Sequence, residues 1–142
     1  MCGISGVIKN EFSKIDLRGS ILKIVNLQNH RGPDKSDIIK INENIIFGHN
    51  RLSIQDLSEK GDQPMFSQDN NLLITFNGEI YNHMKLRNTL TGQKWKSTCD
   101  TETIVNLIEK KGIIKALNLI EGMFAFACFN KKEQKIYLAR DR

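Results

Sequence analysis

The chain has 142 residues, a net charge of +5 and 39% hydrophobic residues. It is long enough for one domain with its own core, too apolar for a disordered chain, and lacks the about eighteen consecutive apolar residues of a membrane span. Its 21 basic residues are scattered among 16 acidic ones, which marks a solvated surface rather than a nucleic-acid face.

The opening MCGISG places Cys2 directly behind the initiator methionine, and GISGVI (3–8) reads as a short buried strand. It is no signal peptide, because ISGVI is too short an apolar segment and is followed by Lys9 and Glu11. The expected compartment is therefore the cytoplasm. LRGSILKIVNLQ (17–28) carries apolar residues at helical spacing, and HRGPD (30–34) ends that helix at Gly32 and Pro33. DIIKI (37–41) and NIIFGHN (44–50) read as a hairpin around an Asn-Glu turn. SEKGDQPMFSQDNN (58–71) is polar loop, and LLITF (72–76) is a strand.

NHMKLRNTL (82–90) is a short helix with Asn82 as its cap. Asp100 then caps TETIVNLIEKK, in which Ile104, Val105, Leu107 and Ile108 share a face and Gly112 marks the stop. IIKALNLI (113–120) resumes the helical pattern. GMFAFACF (122–129), the turn NKKE and KIYLAR (135–140) form a closing hairpin. Hairpins with helices laid over them predict an α+β fold of antiparallel sheets, in one domain.

The three cysteines, Cys2, Cys99 and Cys128, are odd in number and match no zinc or disulfide pattern. Cys128, inside MFAFACF, is a small core residue. Cys2 is different. Removal of Met1 leaves a thiol and a free α-amine on one residue. Their ordinary pKa values, about 8.5 and about 7.7–8.0, let the amine take the thiol proton near neutrality. The nucleophile then carries its own base. Asn77 and Gly78, directly behind LLITF, offer two donors suited to an oxyanion hole, although Asn-Gly is also a turn signal. Arg51, behind an apolar strand, suits a bidentate clamp on a carboxylate. Asp100 suits an ammonium group.

MCGISG, HRGPD, GHNRLSIQDLS, QPM, NGEIYN, CDTE, GMFAFA and LARDR follow one another along the whole chain. Together they resemble the N-terminal glutaminase domain of asparagine synthetases, within the class II glutamine amidotransferases and the N-terminal-nucleophile hydrolases. GHNRLSI and NGEIYN set the chain apart from sugar-phosphate and phosphoribosyl amidotransferases, where GHTRWATHG is typical. The resemblance implies a four-layer αββα sandwich. It implies that Cys2 is the nucleophile, that Asn77 and Gly78 form the oxyanion hole, and that Arg51, with backbone near Leu52 and Ile54, holds the α-carboxylate of L-glutamine. Glu79 and Asp100 face the α-ammonium group. Thr98-Cys99 before Asp100 departs from the common serine.

In the family further strands and a synthetase domain follow LARDR, so the chain is expected to be a C-terminally truncated glutaminase domain. No phosphate-binding glycine loop is present. No cofactor is expected here, ATP and Mg belonging to the absent synthetase domain, and no metal. The expected partners are L-glutamine and a synthetase domain or chain that receives ammonia, with neither nucleic acid nor membrane. Two alternatives stand beside this reading: an inactive remnant serving as a binding module, and the glutaminase part of a sugar- or peptide-modifying amidotransferase.

Overall fold

Gly3–Ile8 (β1), Lys35–Asn42 (β2) and Ile45–Arg51 (β3) form an antiparallel sheet in the order β1-β3-β2. Met65–Phe66 (β4), Leu72–Ile80 (β5), Gly122–Asn130 (β6) and Lys135–Arg140 (β7) form a second sheet in that order, also antiparallel. The helices are Leu17–Leu27 (α1), His83–Arg87 (α2), Asp100–Lys111 (α3) and Ile113–Leu117 (α4). This computed structural model describes residues 2–142; the expected removal of Met1 lies outside them.

Strand alternation accounts for the packing. In β3, Ile46 joins Leu17, Ile21 and Val25 of α1, with Val7 and Ile38 around them. Its neighbour Phe47 points the other way and meets Leu73 and Phe129 of the second sheet. In β5, Leu72 and Ile74 turn from that interface toward Ile104, Val105, Leu107 and Ile108 of α3. The order through the molecule is thus α1, three-stranded sheet, four-stranded sheet, and α2–α4. β3 and β5 are both apolar on two faces, which is why IIF and LLI are unbroken runs.

Several expectations need correction. β1 is not a buried strand: it lies at a sheet edge, where Gly3 is buried and Ile8 is 58% exposed. The stretch 58–71 is not all loop, because it contains the 3-10 turn Glu59–Gly61 and the short strand β4. Asn77-Gly78 is neither a turn nor a strand end. β5 continues to Ile80, and Asn77 and Gly78 pair with Ala125 and Phe124. A Cβ at Gly78 would collide with the Met123 carbonyl and Phe124, so a side chain is excluded there.

α2 and α4 are single short helices, ending at Arg87 and Leu117. Asn82 holds the N-cap position of α2, as expected, but its side chain makes no capping bond. Its amide instead donates to the Leu119 carbonyl (2.9 Å) and accepts from the Glu121 N–H (3.1 Å). Asp100 is the first residue of α3 rather than its cap, which is Cys99. Its Oδ2 accepts from the Ile80 N–H at 2.9 Å. Among the described residues no helix is long and apolar enough to cross a membrane.

Candidate active site

The pairing of β1 with β3 begins at Gly3 and Asn50, so the chain before β1 runs beside the chain after β3. From there Cys2 Sγ reaches the backbone of Leu52, fifty residues on. The Leu52 N–H lies 3.4 Å from Cys2 Sγ, and the thiol reaches the Leu52 carbonyl at 3.7 Å. The neighbourhood is stitched from several sides. Buried Asn50 donates to the Val25 carbonyl of α1 (3.0 Å) and to Ser36 Oγ of β2 (2.8 Å). The HRGPD segment packs on the same strand end, and a Cβ at Gly32 would strike the backbone of Asn50 and Arg51. Asp34 donates its N–H to the Arg51 carbonyl (3.0 Å) and accepts from the Ser53 N–H (2.7 Å).

The other wall comes from the second sheet and its helix. Asn77, Gly78 and Glu79 of β5 face the same cleft as Asp100 and Thr101 of α3. The buried Gln63 side chain ties these two elements together. Its Oε1 accepts from the Phe76 N–H (2.7 Å) and its Nε2 donates to Thr101 Oγ1 (3.1 Å). Burial raises the pKa of the Asp100 carboxyl, opposed by the Ile80 N–H and by nearby His83. The Asn77 side-chain oxygen is buried without a hydrogen-bond partner among the described residues.

All eight residues singled out from the sequence, Cys2, Arg51, Leu52, Ile54, Asn77, Gly78, Glu79 and Asp100, line one cleft. Its cavity of about 100 Å³ is well below the about 300–1,000 Å³ of sites for drug-sized ligands. Gln63, Gln55 and Thr101 share the lining and carry no sequence-assigned role. The QPM motif is the signal that marks Gln63. Among the described residues no group of three or more His, Cys, Asp or Glu side chains is placed to hold a metal ion.

Arg51 is buried, and the structure records protein partners for three of its five N–H donors. Nη1 donates to Asp62 Oδ1 (2.6 Å) and to the Ser58 carbonyl (2.8 Å), and Nη2 donates to the Asp56 carbonyl. Arg51 is thus held by its own loop while it lines the cleft, a grip that sequence reasoning did not anticipate.

A family model described as a glutamine amidotransferase domain matches residues 1–142. The chain is similar to the nodule asparagine synthetase [glutamine-hydrolyzing] of Pisum sativum, 36% identical over 99% of this chain and 24% of that protein. It is 39% identical to a probable asparagine synthetase [glutamine-hydrolyzing] of Dictyostelium discoideum, over 99% of this chain and 25% of that protein. It is 37% identical to asparagine synthetase B [glutamine-hydrolyzing] of Escherichia coli (strain K12), over 99% and 25%. The chain therefore spans about a quarter of the length of these curated relatives.

Proposed function

We infer the activity of this chain from its family: it belongs to the glutamine amidotransferase domains, and its reaction is hydrolysis of L-glutamine to glutamate and ammonia. The observation that carries the residue roles is the convergence of Cys2, Arg51, Asn77, Gly78, Glu79 and Asp100 on one small cleft. The layer order of the fold supports the αββα sandwich of N-terminal-nucleophile hydrolases.

Cys2 Sγ attacks the side-chain amide carbon of glutamine. The Leu52 N–H, 3.4 Å from Sγ, holds the sulfur at the cleft. With Met1 removed, the α-amine of Cys2 accepts the thiol proton and returns it to the departing nitrogen, which leaves as ammonia. Asn77 and Gly78 receive the developing oxyanion. Water then cleaves the γ-glutamyl thioester and restores the thiol. Arg51 holds the α-carboxylate, beside Leu52 and Ile54, while Glu79 and buried Asp100 take the α-ammonium. The raised pKa of Asp100 makes that pairing strengthen as pH rises through its titration.

Ammonia passes to a synthetase that uses ATP and Mg. The asparagine synthetases among the relatives favour aspartate as the acceptor over a sugar or peptide. A reducing compartment such as the cytoplasm suits a free thiol nucleophile. The test is an ammonia-release assay beside intact-mass analysis. Active protein should lack Met1, and Cys2→Ala should release no ammonia from glutamine above the uncatalysed rate. Full turnover with Met1 retained would sink the free-amine mechanism.

A further inference from the structure

We propose that Asp62, braced by Lys35, is the positioning residue that presents Arg51 to the substrate carboxylate; this rests on the glutamine-hydrolysis reading above. Asp62 is not part of the cleft lining. Its Oδ1 accepts from Arg51 Nη1 at 2.6 Å and its Oδ2 accepts from Lys35 Nζ at 2.5 Å. The loop completes a socket. The Ser58 and Asp56 carbonyls take two further Arg51 donors, and a Cβ at Gly61 would stand 2.5 Å from Nη2. Nη1 is fully spent, so a ligand carboxylate is left with Nε–H and one Nη2–H.

The arrangement has a physical purpose. Freezing a free arginine costs side-chain entropy that ligand binding must otherwise offset. Here the guanidinium is ordered before substrate arrives. A lone carboxylate would also neutralise the clamp. Lys35 takes the second oxygen and also pairs with Glu59 at 4.0 Å, so the Asp62 carboxylate is shared between two cations rather than spent on Arg51 alone.

Asp62→Asn is nearly isosteric and separates the two effects by sign. Loss of the negative charge alone would tighten carboxylate binding; loss of positioning weakens it. Steady-state ammonia release by the full chain should show KM for L-glutamine raised about tenfold with kcat unchanged, the scale of one charge-assisted hydrogen bond. Alkylation of Cys2 by iodoacetamide, which has no carboxylate, should keep its wild-type rate. Lys35→Met should raise KM less, by about threefold, and Lys35→Arg should restore it. An unchanged or lowered KM in Asp62→Asn overturns the proposal, as do parallel losses in kcat and alkylation rate. If Asp62→Asn fails to fold, Lys35→Met decides alone, and an unchanged KM there overturns the proposal. A wild-type chain that releases no ammonia from glutamine overturns the functional reading and the proposal with it. An active wild type with no KM response overturns the proposal alone.

Discussion

The three cysteines divide by environment rather than by sequence context. Cys128 is fully buried and its thiol is pushed up to about 12 by desolvation. Cys99 is also buried and raised by desolvation, partly offset by its hydrogen bond with Ser97. Cys2 alone is half-buried at the cleft. Because the thiolate is the reactive species, native protein treated with iodoacetamide near pH 8 should gain one adduct, at Cys2. Unfolded protein should gain adducts on all three cysteines. Mass spectrometry of the two samples checks this, and native labelling of Cys128 would contradict the buried assignment. The core role of Cys128 was legible in the run MFAFACF. The burial of Cys99 was not, because it depends on the 95–99 segment folding under Arg87, which donates to the Ser97 and Cys99 carbonyls (2.7 and 2.6 Å).

At the level of elements, α3 shows where the helical pattern misleads. Its apolar residues define one face, yet every residue from Asp100 to Ile108 is buried. The polar face is covered by two loops and by Arg87 of α2, which satisfy it. Glu102 accepts from the Lys96 and Ser97 N–H groups (2.9 and 2.8 Å), Thr103 Oγ1 from Arg87 Nε (2.7 Å), and Asn106 Oδ1 from the Gln68 N–H (2.8 Å). Gln63 does the same at the cleft end, joining β5 to α3. Gln63→Leu leaves the buried Phe76 N–H and Thr101 hydroxyl unpaired. It should cost about 1–3 kcal/mol per unsatisfied group, read as a lower urea midpoint. It should also lower kcat, because Asn77 follows Phe76 directly. Loss of stability with full kcat would show that Gln63 holds the fold without aligning the cleft.

At the scale of the molecule, the two sheets meet across a mainly apolar layer with polar contacts at one end. His49, 1% exposed, meets the Phe76 carbonyl through Nε2 at 3.2 Å, and Thr75 Oγ1 donates to the Gly48 carbonyl at 3.1 Å. Burial lowers the His49 pKa from 6.5 to about 4; Arg51 adds to this, while the Phe76 carbonyl and Asp62 oppose it. The folded protein therefore keeps His49 neutral where the unfolded chain protonates it. The resulting stability is complete above about 6.5 and is lost as pH falls toward about 4. Between pH 7 and pH 5 this amounts to about 2 kcal/mol. Urea unfolding at the two pH values should show the drop, and His49→Gln should remove most of it. An identical slope in that variant would assign the acid sensitivity elsewhere.

Elements with local causes were readable from the chain alone. Periodicity located α1, the β2–β3 hairpin and the β6–β7 hairpin, and collinear motifs named eight of the residues that line the cleft. Local signals failed where a contact between distant residues decides the outcome. The strand conformation of Asn77-Gly78 is set by pairing with β6, and the burial of polar residues in α3 by two loops and Arg87 of α2. Arg51 reads as a free clamp in sequence, but in the fold it sits in a socket completed by Asp62 and Lys35. Cys2 was a candidate nucleophile from its position alone, but only the fold lays it beside Leu52 at the cleft. Motifs carry chemical identity residue by residue, whereas distances and charge balance arise only once the two sheets and their loops have closed on one another.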